Sequence, residues 1–201
     1  MADTRGVFRL RDLYDLKIED EWVDLGDVWI SPSPFFGPPP NTGYFGGGTP
    51  GPRSTMDKLT YSSDTTAAVP GAFLTFQQGD SETGRFGLSA TGNSDAGYFG
   101  GGSGSSPTTV VEKLVYSSDT TSRIPGADLT IGRYGVAATG DSSFGYFSGG
   151  IGISSIDKTN YSTDTTTLIP GSNLSINRNN HAASSARANA LPSGLSAPVI
   201  V

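Results

Sequence analysis

The chain has 201 residues with 28 glycines, 13 prolines and a hydrophobic content of only 35%, which excludes a helical bundle. Ten Phe, eight Tyr and two Trp provide apolar side chains that a disordered chain lacks. There is no cysteine, only one histidine (His181), and a net charge of −6 with 13 Lys and Arg. Disulfides, zinc–thiolate sites, histidine metal clusters and a phosphate-tracking nucleic-acid surface are therefore excluded.

Two features of the chain bear on its location. It contains no apolar run of 18 residues, so we expect no contact with a membrane interior. Its first residues, Met1 to Arg5, lack the apolar stretch of a signal peptide, so we expect synthesis in a cytoplasm without standard secretion.

Residues 1–30 differ from the rest in being charged and poor in glycine. Large apolar side chains recur at helical i, i+4 spacing, although alternation also permits a strand. One interpretation is an ordinary leading element packed on the domain. The other is an arm that docks on another protein, which would cover its apolar side chains. The candidate docking residues are Phe8, Leu10, Tyr14, Ile18 and Trp22.

Residues 31–42 are crowded with proline, and Pro38–Pro40 favour extended polyproline II. We expect this segment to be a semi-rigid linker between the arm and the remainder of the chain.

From Gly43 onward the sequence repeats. The first repeated motif is glycine, two aromatic residues and a glycine run, as Gly43-Tyr44-Phe45, Gly97-Tyr98-Phe99 and Gly145-Tyr146-Phe147. The second is an acid, a lysine and then Tyr-Ser-Ser/Thr-Asp-Thr, with Tyr61 and Asp64, Tyr116 and Asp119, and Tyr161 and Asp164. The third is Val/Ile-Pro-Gly followed by leucine. The fourth begins at Arg85, Arg133 and Arg178, and it decays in the last copy.

Each repeat of about 50 residues contains four short extended candidates separated by turn signals, which is typical of a propeller blade. We therefore predict an all-β fold with three four-stranded repeats at about 43–96, 97–144 and 145–194. The first repeat carries an insertion, Gln77–Thr83, which we expect to be a longer loop. A β-solenoid or fibre-like β-array is the alternative architecture.

The double glycine after an aromatic strand, the later Tyr with its Asp turn, and the strand that begins at Arg and ends in Ala-Thr-Gly together resemble the kelch repeat. The usual Trp after the Tyr segment is replaced by Pro-Gly. The motifs look most like kelch-like repeat proteins of marine tailed bacteriophages, including cyanophages. Gly6–Leu10 and Trp29–Pro34 resemble the leaders of those proteins. The resemblance implies a virion structural or tail-associated protein.

Three blades cannot close a propeller, and an open array exposes two sheet edges. We therefore expect an obligate oligomer closed by copies of the same chain. The last residues, 195–201, include a short apolar segment that we expect to form a strand, either on a neighbouring blade or paired with Asp27–Ile30.

No catalytic or metal-binding pattern is visible. The repeated Asp64, Asp119 and Asp164 are expected to be turn caps. The acid–lysine pairs are expected to form a solvated strand face, and the repeated arginines are read as structural. His181 has no partner Ser or Cys in a nucleophile motif, and the kelch-family copper oxidases need histidines and a cysteine that this chain lacks.

The leading functional hypothesis is a non-enzymatic virion protein without cofactor or metal, which docks on other virion proteins by its N-terminal arm. The alternatives are a receptor-binding adhesin that recognises host surface glycan, and a cellular kelch-type interaction module.

Overall fold

The computed structural model describes residues 41–75 and 84–185. The predicted arm, nearly all of the linker, the 77–83 loop and the predicted C-terminal strand lie outside these ranges. Within them the fold is all-β, as predicted, with a single 3-10 turn at Pro125–Ala127. None of the described elements is a helix long and apolar enough to cross a membrane.

The described residues form three antiparallel sheets. Sheet I consists of β1 (Thr42–Gly46), β2 (Thr55–Thr60) and β3 (Thr65–Phe73). Sheet II consists of β4 (Phe86–Gly92), β5 (Ala96–Ser103), β6 (Val111–Val115) and β7 (Thr120–Arg123). Sheet III consists of β8 (Ala137–Gly140), β9 (Phe144–Ser148), β10 (Ile156–Asn160) and β11 (Thr165–Leu168).

Neighbouring strands in each sheet follow chain order, so every connection is a local antiparallel reversal. The strand after the repeated arginine pairs with the aromatic strand that follows it, as β4 with β5 and β8 with β9. The arginine motif therefore provides the leading strand of the next sheet.

Counted by repeat, the prediction of four strands holds for the repeats at about 43–96 and 97–144, and it fails for the third, which has three strands in its described residues. Counted by sheet, II and III have four strands each. Sheet I has three strands in the described residues, because no arginine motif precedes β1. Conversely, the third arginine motif, residues 178–185, forms no strand, and the sequence after it has no further glycine–aromatic motif. The described array is open. At one end, sheet I lacks a leading strand, and at the other end, the arginine motif of residues 178–185 has no described sheet to join.

The hydrophobic core lies between consecutive sheets. Phe99 of sheet II packs against Met56 and Leu74 from the first repeat. In the same way, Phe147 of sheet III packs against Val111 and Leu129. Burial of one large aromatic ring in each interface stabilises the stacking of sheets by roughly 2–3 kcal/mol per ring.

Candidate functional site

The repeated tyrosine, lysine and aspartate meet between sheets I and II. Tyr44 donates its hydroxyl to Asp119 Oδ1 at 2.5 Å, and Lys58 Nζ lies 3.0 and 2.8 Å from the two carboxylate oxygens. The Tyr44 ring stacks on Tyr116 with centroids 5.2 Å apart and planes 8° apart. One tyrosine, one lysine and one aspartate thus form a polar cluster that joins two sheets.

The same cluster recurs between sheets II and III. Tyr98 donates to Asp164 Oδ1 at 2.5 Å, and Lys113 Nζ lies 3.0 and 2.9 Å from the Asp164 oxygens. Tyr98 stacks on Tyr161 at 4.9 Å. We call this arrangement the tyrosine–lysine–aspartate cluster.

The electrostatics of the first cluster favour its charged form. Burial alone raises the pKa of Asp119, but the hydrogen bonds from Lys58 and Tyr44 outweigh it, so the net pKa is lowered. The hydrogen bond to Asp119 raises the pKa of Lys58. Burial and the same carboxylate raise the pKa of Tyr44, which therefore stays a neutral donor.

The aspartates were expected to cap turns with their side chains, and the structure assigns them differently. Asp64, Asp119 and Asp164 adopt the left-handed conformation, with φ of 51°, 54° and 52°. Aspartate tolerates this region better than most residues do. The turn therefore uses the aspartate backbone, which leaves the carboxylate free to bind the preceding sheet.

A second repeated contact is a buried ion pair. Arg85 and Glu112 are 0% and 2% exposed, and Arg85 Nη2 lies 2.8 Å from Glu112 Oε2. Arg85 also donates to backbone carbonyls, including that of Val110 at 2.6 Å. Glu112 accepts hydrogen bonds from the backbone N–H and hydroxyl of Thr75. The acid is therefore saturated by groups that arrive from the preceding repeat.

The corresponding pair in the next interface makes the same kinds of contact. Arg133 Nη2 lies 3.3 Å from Asp157 Oδ2, and both side chains are completely buried. Thr130 donates its N–H and hydroxyl to Asp157 at 2.9 and 2.7 Å. Burial lowers the pKa of Arg133, but a guanidinium stays protonated in proteins.

The expectation that the acid–lysine pairs form a solvated strand face was wrong for Glu112 and Asp157. The face of sheet II that carries Glu112 is covered by the preceding repeat, and so is the face of sheet III that carries Asp157, so the alternating acid of β6 or β10 points into an interface rather than into water. The sequence signal was present, because one arginine and one acid occur per repeat. Which acid each arginine meets depends on sheet stacking, so the sequence alone does not identify Glu112 and Asp157 as the partners.

Two glycine positions of the aromatic motif are explained by close approach and backbone conformation. A Cβ on Gly97 would lie 3.0 Å from the Tyr116 hydroxyl, since that ring lies over the glycine. Gly101 has φ of 70°, and a Cβ there would lie 2.8 Å from the Arg133 carbonyl oxygen. The glycines thus serve sheet geometry.

The front side of sheet I carries the same residue types as the internal interfaces, but they are exposed. Phe45 is 59% exposed, whereas its counterparts Phe99 and Phe147 are 5% and 0% exposed. Tyr61 is 54% exposed, and Asp64 and Asp57 are exposed as well. No side-chain hydrogen bond or ion pair to Asp57 or Asp64 occurs among the described residues. We call these four residues, Phe45, Asp57, Tyr61 and Asp64, the front face.

The back side of sheet III carries the complementary residue types. Lys158 Nζ lies 3.7 Å from the Phe144 ring centroid and meets no acid in residues 41–75 and 84–185. Arg178 is exposed, and its only described side-chain partner is Ser175, at 3.4 Å. A hollow of about 430 Å³ lies beside them, lined in part by Tyr146, Ile156 and Leu174. We call Tyr146, Ile156, Lys158, Leu174, Ser175 and Arg178 the back face.

Two substitutions distinguish the back face from the internal interfaces. Ser148 stands where Gly46 and Gly100 stand in the other repeats, and His181 stands where Leu88 and Val136 stand. The Ser148 hydroxyl and His181 Nε2 lie 3.1 Å apart. This contact makes the hollow more polar than the cores between the sheets.

The described ranges contain no group of three or more His, Asp or Glu side chains that could hold a metal ion. Most of the repeated residues predicted from Gly43 onward lie in the sheets or in the sheet-to-sheet contacts, whereas Tyr61, Asp64 and Arg178 are exposed on the front and back faces. The docking-arm residues Phe8 to Trp22 lie outside the described ranges. Neither protein-family models nor curated proteins match the sequence.

Proposed function

We propose that the chain is a non-enzymatic structural protein of a bacteriophage virion, associated with the tail or capsid. In this proposal, residues 1–30 dock on the particle and the β-sheet array projects from it. The observation that carries the proposal is the use of the repeated charged residues. Arg85, Glu112, Arg133 and Asp157 are buried between sheets, where they hold the array together instead of lining a cavity.

The virion setting is supported by the sequence motifs that resemble phage kelch-like proteins. A particle protein depends on the stability of its fold more than on a reactive site. The buried ion pairs that recur in every internal interface join the sheets of that fold. Removal of one member of such a pair is expected to cost about 3–5 kcal/mol, because the remaining charge would be buried without its partner.

The test is mass spectrometry of purified particles, combined with a variant that lacks residues 1–30. We expect the full chain in the particle and the truncated chain, folded by circular dichroism, to be absent from it. Incorporation of the truncated chain would refute the docking arm, and absence of the full chain would refute the virion role.

The exposed aromatic residues Phe45 and Tyr61 favour glycan binding as a second candidate function. Binding of the truncated array to host cells, competed by soluble surface glycan, would support the adhesin.

A further inference from the structure

We propose that the back face of sheet III binds the front face of sheet I of a second copy, so that copies associate head to tail. The proposal does not rest on the virion role, because it follows from contacts repeated within one chain. The two internal interfaces show which residues meet when one sheet follows another. The two outer faces carry the same residues with no partner described.

The charged residues of the two outer faces are complementary. Inside the chain, Lys58 and Tyr44 bind Asp119, and Lys113 and Tyr98 bind Asp164. Lys158 and Tyr146 occupy the corresponding positions of sheet III, and Asp64 is the corresponding acid of sheet I. A second copy therefore brings a third tyrosine–lysine–aspartate cluster together, with Tyr146 stacked on the exposed Tyr61.

Each internal interface also buries one acid against an arginine and a threonine. Glu112 binds Arg85 and Thr75, and Asp157 binds Arg133 and Thr130.

The corresponding acid of sheet I is Asp57, which has no arginine motif before it in the sequence. The corresponding arginine and hydroxyl are Arg178 and Ser175, which have no acid after them. The front face therefore supplies the acid of this contact, and the back face supplies the arginine and the hydroxyl.

The apolar side chains of the two outer faces also match those of the internal interfaces. Phe99 lies against Met56 and Leu74, and Phe147 lies against Val111 and Leu129. Ile156 and Leu174 occupy the same repeat positions and line the 430 Å³ hollow of the back face. The exposed ring of Phe45 is the side chain that the repeat directs toward this hollow.

The backbone of the third arginine motif is held in the same way as the backbone of the first two. The backbone N–H of Gly48, Gly102 and Gly150 binds the carbonyl of Arg85, Arg133 and Arg178 respectively, at 3.0, 2.8 and 3.0 Å. The third arginine motif is therefore positioned on its sheet as the other two are, although it forms no strand.

Asn180 even retains the positive φ, 50°, of the glycines Gly87 and Gly135 at this position. Residues 182–184 follow it and are exposed.

The place for that strand exists on sheet I. A hollow of about 390 Å³ lies between β1 and β4, lined in part by Phe45, Gly46, Ser89 and Ala90. In sheets II and III the leading strand pairs with the equivalent of β1. Residues 182–184 of one copy would therefore pair with β1 of the next and give sheet I its fourth strand. Because the two faces differ, the contact is heterologous and closes into a ring or extends as a filament.

The test uses the full chain, with sedimentation velocity as the measure of association. We expect the wild type to self-associate. Lys158→Glu and Asp64→Lys should each lower the association constant at least about tenfold, because each places like charges together. A one-to-one mixture of the two variants should recover association, since the new acidic side chain of one meets the new basic side chain of the other.

Two further variants keep the result interpretable. Lysine at φ of 51° strains the Asp64 turn, so Asp64→Asn, which tolerates that conformation, is measured alongside and should also weaken association. The matched control is Asp95→Lys in an exposed turn of sheet II, which should change nothing.

A wild type that stays monomeric at all concentrations would overturn the proposal, and would mean that another part of the chain or another protein covers the faces. An oligomer that is insensitive to both charge reversals would overturn it equally. Either result leaves the virion proposal to its own particle test.

Discussion

At the scale of the residue, substitutions in the buried ion pairs are expected to have the largest effect on the free energy of unfolding. Asp157 is completely buried, and its oxygens are satisfied by Arg133 and Thr130. Replacement of the arginine leaves a carboxylate without its counter-charge in a medium where desolvation is costly.

We therefore expect Arg133→Met to lower the free energy of unfolding by about 3–5 kcal/mol, measured by urea denaturation. The matched control is Arg53→Met, because Arg53 is exposed and its described contacts are made by its backbone. That change should alter stability by less than about 0.5 kcal/mol. Equal effects at the two positions would contradict a special role for the buried pair.

The stacked tyrosines add an alkaline dependence. Burial, the largest cause, raises the pKa of Tyr161 to about 12, and its side chain is only 6% exposed. The folded pKa is above the unfolded value of about 10, so the contribution is fully present below pH 10. It is lost as the pH rises from about 10 toward about 12, and it amounts to roughly 2–3 kcal/mol.

Tyr161→Phe cannot ionise, so we expect its stability to fall less steeply than that of the wild type in this alkaline range. Urea titrations at several pH values measure the slope. The lost hydrogen bond to Thr91 lowers stability at every pH and does not affect that comparison. A slope unchanged by the substitution would contradict the assignment.

At the scale of the element, sheet spacing depends on small residues. A Cβ on Gly100 would lie 2.7 Å from Phe147 Cε1, and that ring is fully buried. The Phe147 ring of β9 therefore lies closer to β5 at Gly100 than a side chain at this position would allow.

Gly100→Ala should destabilise the chain by about 1–3 kcal/mol through overpacking, measured by chemical denaturation. Phe147→Leu in the same chain removes the edge of the ring, so the double variant should lose less stability than the sum of the two single losses. Additive losses would mean that the glycine and the ring do not compete for space.

At the scale of the whole molecule, the proposed head-to-tail contact depends on the residues at the two ends of the array. The back face differs from the internal interfaces at Ser148, whose Cβ occupies the space that Gly100 leaves for Phe147. In the proposed contact, we expect this side chain to make the outer interface looser than the two within the chain.

Ser148→Gly should therefore strengthen self-association by several-fold, although glycine in a strand lowers the stability of the single chain by roughly 0.5–1 kcal/mol. Sedimentation velocity measures the first effect and denaturation below the association range the second. Unchanged or weaker association would mean that no aromatic ring of a second copy approaches Ser148.

The sequence by itself determined the all-β class and the repeat, because turn residues and aromatic pairs recur in register and act locally. It also indicated which residues recur, including Tyr44, Asp119 and Arg133. It did not determine what they contact. The carboxylate of Asp119 binds a lysine 61 residues away, and Glu112 is buried by strands from two repeats.

Only the tertiary structure decided those pairings, because stacking one sheet on another places side chains from different repeats together and removes them from water. It also decided that the arginine strand belongs to the following sheet. Among the residues described, that offset leaves the outer side of β1 without a pairing strand at one end of the array, and it leaves residues 182–184 without a strand partner at the other. Strand order is a long-range property, and repeat counting alone does not reveal where a sheet begins.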